Sequence, residues 1–183
     1  MKTKKNIFLC GFMGVGKTTV GKNLAKTLNF KYFETDTMIE KSENMIVSEI
    51  FALKGEQHFR IIEADTLNFF IGKNNCIIST GGGIVLKNEN IENMRKSGFL
   101  IHLSAQPETI LSRINIETRP LLKNTPLPQL PEKIKIMLND RKARYELCDF
   151  SVETDDKNIS EITAEIISLT RMQYIKKSIS HRL

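Results

Sequence analysis

The chain has no tryptophan and, in 183 residues, only three tyrosines, three cysteines and five prolines. Each scarcity excludes a class of protein. Cys10, Cys76 and Cys148 are odd in number and far apart, and no CxxC pair or Cys/His cluster has metal-ligand spacing. Neither a disulfide framework nor a structural zinc site is therefore expected. Cys10 and Cys76 stand in apolar runs, where a reduced thiol packs as a small hydrophobe. No apolar run approaches the roughly 18 residues that a membrane helix needs. Lys2, Lys4 and Lys5 precede only a few apolar residues, Ile7 to Cys10, before glycines begin, which is not a signal-peptide pattern. A cytoplasmic protein without a membrane partner is expected. The net charge of +6 favours anionic ligands. No stripe of Lys and Arg interleaved with aromatics accompanies it, so nucleic acid is not an expected partner. The densest basic stretch, residues 171–182, reads as a solvated helix face or a frayed tail.

What is present is an ordinary globular balance, 40% hydrophobic and 26% charged, at a length that suits one domain spanning 1–183. Short buried strands are expected at 6–10, 31–34, 76–79, 99–103 and 150–153. Helical spacing covers 18–28, 47–70 with a break near Gly55, 89–97, 107–114, 132–147 and 159 to about 175. Strands alternating with helices predict an α/β fold with a parallel sheet covered on both faces. One region breaks the rhythm. Residues 118–131 carry four of the five prolines, and a loop of that length in a compact domain is usually functional or disordered.

Gly11-Phe12-Met13-Gly14-Val15-Gly16-Lys17-Thr18 satisfies G-x-x-x-x-G-K-[ST], directly after a strand and before a helix. Backbone N–H groups of Gly14, Val15, Gly16, Lys17, Thr18 and Thr19 would cradle nucleotide phosphates at the positive end of the helix dipole. Lys17 would reach the β- and γ-phosphates, and the Thr18 hydroxyl would ligate Mg²⁺. The motif is shared by switches, motors, transporters and kinases, so other residues must choose among them.

In a parallel sheet every strand ends on the edge that carries this loop, and ligands bind there. After the second strand come Glu34, Thr35 and Asp36; after the third come Ser79, Thr80 and the run Gly81-Gly82-Gly83. Asp36 suits a proton acceptor or an orienting group for a hydroxyl, or alternatively a helix cap near Thr37. The glycines suit either close approach of a substrate or a flexible turn. No aspartate closes the third strand, so an acid for the metal must come from Glu34 or Asp36. Glu56, Arg60 and Glu63 share one helix face, as a surface ion-pair ladder or as an arginine held to clamp a carboxylate. His58, beside that face, shows no partner. Arg119 opens the proline-rich segment, and Arg141 lies on the helix after it; either could stabilise or position charge, or be an ordinary surface residue.

The motifs GFMGVGKTTVGKNLA, TD at 35–36, IFALKGEQHFRIIE, STGGGIV, RPLL and DRKARYE, in this order and spacing, resemble those of the shikimate kinase family from Asn6 to about Leu169. The resemblance implies a three-layer, five-stranded parallel sheet like that of nucleoside monophosphate kinases. A mobile lid near 113–131 and an acceptor-binding helical segment near 37–63 would complete it. It implies ATP and Mg²⁺ as cofactors, shikimate as the small-molecule partner, and phosphorylation of the shikimate 3-hydroxyl on the way to chorismate and the aromatic amino acids; a monomer is expected, although the sequence itself is silent on oligomeric state. The same likeness makes Lys17, Asp36 and Arg119 catalytic, and assigns shikimate to Asp36, Phe51, Phe59, Arg60, Gly81, Gly82, Gly83 and Arg141. Glu63 would orient Arg60, and Arg113 would lie near adenine. Thr18 and Glu34 would serve the metal, with Glu34 standing where the family usually has Asp. Two rivals remain at this point: a kinase of another hydroxy acid such as gluconate, and a non-catalytic nucleotide-binding regulator.

Overall fold

A computed structural model describes residues 6–119 and 121–180, including every side chain there except those of Thr118 and residues 174–180. Lys2, Lys4, Lys5 and Pro120 lie outside the described residues, as do the side chains beyond Gln173 in the basic C-terminal stretch. Five strands form one sheet: β1 (Asn6–Cys10), β2 (Lys31–Glu34), β3 (Cys76–Ser79), β4 (Gly98–Ser104) and β5 (Phe150–Glu153). Their spatial order is β2-β3-β1-β4-β5, and every pairing is parallel. The first strand is thus central, with the chain turning to one side for β2 and β3 and to the other for β4 and β5. A ligand crevice opens at such a reversal, beyond the carboxyl ends of the strands.

Among the described residues seven α-helices accompany them: α1 (Lys17–Leu28), α2 (Thr35–Glu43), α3 (Val47–Asn68), α4 (Asn88–Ser97), α5 (Pro107–Arg113), α6 (Leu130–Tyr145) and α7 (Ile159–Ser180). The two-residue alternation of β1 divides the core. Ile7 and Leu9 meet Val20 and Leu24 of α1, Ile110 of α5, Ile134 of α6 and Ile166 of α7. Phe8 and Cys10 face the other way, onto Leu67 of α3 and Ile91 and Met94 of α4. Each such fully buried side chain contributes about 1.5–3 kcal/mol, and together they make the helix–sheet–helix layering that the sequence predicts. A third, smaller cluster of Ile39, Ile50 and Phe59 fastens α2 to α3.

Several boundaries differ from expectation for local reasons. The helix expected from 132 begins at Leu130, because Pro131 falls in the first turn, where its missing N–H is no loss. Within 118–131 the backbone forms a 3₁₀ turn at Leu127–Gln129, and Leu122 is fully buried in the core. The break at Gly55 is real: its φ of 82° and ψ of 164° interrupt α3. The cysteines far apart in sequence are not all far apart in space, since the Cys10 and Cys148 sulfurs approach to 3.5 Å. No helix among the described residues is long and apolar enough to cross a membrane.

Candidate active site

β1 runs straight into the phosphate loop. Gly14 and Gly16 take φ of 80° and 92°, left-handed values that a side chain would strain, and α1 begins one residue later with no acidic residue in its first turn. Its dipole end is therefore uncompensated by the helix itself. Val15 turns its side chain into the core, so it offers only backbone to a phosphate, and Thr19 is exposed. The Lys17 ammonium donates to the Gly11 and Phe12 carbonyls at 2.9 and 2.8 Å. Burial lowers its pKa to about 8, with Arg119 adding to that and Asp36 and Glu34 opposing it. The Thr18 hydroxyl donates to Glu34 Oε1 at 2.6 Å. A side chain on Gly14 would strike Ile110 and Ile114, so the end of α5 lies against the loop. Arg113, in that last turn, donates to Thr154 through both terminal nitrogens.

Asp36 is not a helix cap. α2 starts at Thr35 with Glu34 in the capping position, which places Asp36 inside the first turn. Its Oδ1 is buried and without a hydrogen-bond partner. Burial raises its proton affinity above that of an ordinary carboxylate, Glu34 and Glu40 reinforce this, and Lys17 and Arg119 work against it. The Thr35 hydroxyl accepts the Gly81 N–H, tying α2 to the glycine run.

The three glycines provide space, since none has a positive φ. A methyl group on Gly81 would overlap Asp36 Oδ1 and Glu63 Oε1, and one on Gly83 would overlap the Arg60 guanidinium. Gly82 lies against the Gly11 carbonyl and accepts from Arg141 Nη1 at 2.8 Å. The flexible-turn alternative is thereby replaced by a packing requirement.

Arg60 is held from both sides, by Glu56 at 2.9 Å and Glu63 at 2.7 Å, with a side chain only 13% exposed. Its guanidinium sits over the rings of Phe59 and Phe51, which are 4.9 Å apart. Glu63 is fully buried, and burial pushes its carboxyl up to about 7 even against Arg60. Arg141 is also buried and lies over the Phe12 ring at 5.1 Å, a support from the phosphate loop that sequence reading did not identify. His58, expected to be partnerless, reaches Glu43 at 3.2 Å. Asp36, Arg60, Arg141, Arg119 and the glycine run line one cavity of about 650 Å³, together with Glu34, Phe51 and Phe59. Glu40 and Glu117 also line it, and neither stood out in sequence.

A phosphate loop whose Met13 borders a cavity lined by an acid and three arginines suits phosphoryl transfer to a small acceptor, and this places the chain among the P-loop kinases of small molecules. The family model described as shikimate kinase matches residues 13–171. A shikimate kinase of Caldanaerobacter subterraneus subsp. tengcongensis is 44% identical over 165 residues, covering 89% of this chain and 94% of the relative. The chain belongs to the shikimate kinase family. A crystal structure of shikimate kinase from Acinetobacter baumannii in complex with shikimate superposes with a TM-score of 0.86 at 30% identity, covering 93% of this chain and 95% of that one. A gluconokinase from Sinorhizobium meliloti shares the fold alone, with a TM-score of 0.60 at 14% identity and coverage of 98% and 99%. As a family member the protein is an ATP-dependent phosphotransferase.

Proposed function

We propose that the reaction is transfer of the γ-phosphoryl group of ATP to the 3-hydroxyl of shikimate, giving 3-phosphoshikimate and ADP, with the following division of labour. The loop N–H groups and Lys17 hold the β- and γ-phosphates. Arg60 spends three of its five N–H donors on Glu56 and Glu63, which leaves one on each terminal nitrogen for the acceptor's carboxylate. Arg141, fixed by Phe12 and the Gly82 carbonyl, is the second clamp on that group. Phe51 and Phe59 bound the ring, and the glycine run lets it approach the backbone.

The observation that carries the acceptor reading is the buried, unpartnered Oδ1 of Asp36 in a cavity that also holds two fixed guanidinium groups. A buried acceptor without a donor is costly, about 1–3 kcal/mol, and an acceptor hydroxyl would relieve that cost. Asp36 orients this hydroxyl in line with the phosphorus and takes its proton as the new P–O bond forms. Arg119 stabilises the charge on the transferring group, and closure of the segment around it excludes water.

Mg²⁺ fits the donors present. Among the described residues no cluster of three or more His, Cys, Asp or Glu could hold a metal. A Mg²⁺ ion that takes most of its ligands from phosphates and water asks only for hard oxygens such as the Thr18–Glu34 pair. Thr18 would ligate it and Glu34 would orient its water. When bound, the ion would neutralise charge on the nucleotide phosphates. Arg113 is assigned to the adenine side of the loop. Every residue given a role lies in a single chain, which a monomer satisfies, and a cytoplasmic location fits an enzyme that draws on ATP.

The test is ADP release coupled to shikimate, with gluconate and other hydroxy acids in parallel. Shikimate-dependent ADP formation is expected, and Asp36→Asn should lower kcat by about 10²- to 10⁴-fold. Release with gluconate but not shikimate would refute the acceptor assignment. ATP binding without turnover on any acid would favour a non-catalytic regulator.

A further inference from the structure

Tyr32 belongs to none of the roles above, yet its hydroxyl sits among the groups assigned to the metal. Residues i and i+2 of a strand project to one face, so Tyr32 and Glu34 of β2 share a side. Helix α1 covers that side. Thr18 in its first turn bonds Glu34, and Gly21 one turn later lies directly against the Tyr32 ring. A side chain at Gly21 would come within 2.8 Å of the ring edge, so the small residue there gives the phenol its place. The Lys22 ammonium lies over the ring at 5.9 Å.

The ring so placed directs its hydroxyl to a fixed point. Its polar neighbours are Ser79, which pairs with Glu34 across the sheet, Thr18 and Glu34 itself. All three lie within its reach, yet the buried oxygen makes a well-directed hydrogen bond to none of them. Phenylalanine would fill the same space without stranding a polar atom. A hydroxyl kept here implies a partner that arrives with the ligand, and the ligand expected beside Thr18 and Glu34 is the divalent cation with its waters.

We propose that Tyr32 is a positioning residue for the metal–nucleotide complex, its hydroxyl donating to the Glu34 carboxylate or to a cation-held water and so fixing Glu34 toward the cation. The inference rests on the Thr18–Glu34 metal assignment. Tyr32 does not line the acceptor cavity and is not part of the phosphate loop. It therefore sets affinity for the cation, and leaves the bare nucleotide and shikimate alone.

Calorimetric titration with ADP, in the presence and absence of Mg²⁺, tests this on wild type, Tyr32→Phe, Glu34→Gln and the double variant. Tyr32→Phe should bind ADP alone as wild type does, and should weaken Mg·ADP by about tenfold, the usual scale for groups that orient metal ligands. Its KM for shikimate should not move, whereas a packing defect would shift the thermal midpoint and metal-free ADP binding as well. In the Glu34→Gln background the tyrosine substitution should add little. Wild-type Mg·ADP affinity in Tyr32→Phe overturns the proposal while leaving the metal assignment intact. Undiminished Mg²⁺ dependence in Glu34→Gln would instead overturn the metal assignment, and the proposal with it.

Discussion

The cavity has two sides, and their arginines are held in opposite ways. On the acceptor side Arg60 is gripped by two carboxylates and two aromatic rings, and Arg141 by a carbonyl and the Phe12 ring. Both are fixed before any substrate arrives. On the phosphate side Arg119 has an exposed side chain on a segment whose backbone turns tightly, Ile116 to Arg119 and Arg119 to Leu122. It still lies close enough to influence Lys17 and Asp36. The difference separates two tasks. A clamp on a group that does not react contributes about equally to ground and transition states, whereas a group placed on the transferring phosphoryl contributes chiefly to the transition state.

That contrast can be broken by kinetics. Arg119→Ala should have the largest effect, a fall in kcat of about 10³-fold, as for other arginines that stabilise a transferring phosphoryl group. The shikimate KM should stay near its wild-type value. A raised KM with kcat preserved would erase the distinction between the two sides. Next in size, Arg60→Ala should raise the shikimate KM on the order of 10²-fold, the scale of a lost charge-assisted pair. ADP affinity, measured by titration, should be nearly unchanged. An equal loss for both ligands would make Arg60 a structural ion-pair partner only.

How much of this was legible before the structure depends on the range of each contact. The phosphate loop could be read because its function is carried by eight consecutive residues. The strand ends could be read because parallel topology alone gathers them on one edge. The face shared by Glu56, Arg60 and Glu63 followed from helical spacing, but spacing cannot say what the face meets. Gly83 against Arg60, Phe12 beneath Arg141 and Cys148 beside Cys10 are contacts between distant segments, the last 138 residues apart. The cap alternative for Asp36 fails because α2 starts at Thr35, two residues before Thr37. Glu40 and Glu117 carry no local signal at all; only the fold turns them to the cavity.

The clamp can be loosened without touching its charges. Gly83→Ala puts a methyl group where the Arg60 guanidinium lies, and backbone and arginine must part at a cost of about 1–3 kcal/mol. Part of that cost should appear as lost stability and part as a rise in shikimate KM of about tenfold, with kcat less affected. Gly55→Ala, on the helix that carries Arg60, is the control. It meets open space but a φ of 82°, so it should lower stability by about 1–2 kcal/mol without the KM change. Equal KM effects for the two would show that the glycine run merely needs flexibility.

The smallest effect concerns the charge state of the fixed side. Burial raises the Glu63 carboxyl from an ordinary 4.5 to about 7, so the native state binds this proton more tightly than the unfolded chain does. Its contribution to stability is therefore fully present below pH 4.5 and is lost as pH rises toward 7, by at most about 3 kcal/mol. Chemical denaturation of wild type and Glu63→Gln across that range should show wild type losing stability relative to the variant as pH increases. The opposite slope would mean that Arg60 holds Glu63 ionised throughout, and that the clamp is a permanent ion pair. Function supplies a second readout. Because an ionised Glu63 anchors Arg60 better than a neutral one, the shikimate KM should fall as pH rises through 7 in wild type and stay flat in Glu63→Gln. On the phosphate side ADP affinity should fall as Lys17 loses its proton near 8, but equally in wild type and Glu63→Gln, since Arg119 does not contact Glu63; the two sides of the cavity would then respond differently to the Glu63 proton.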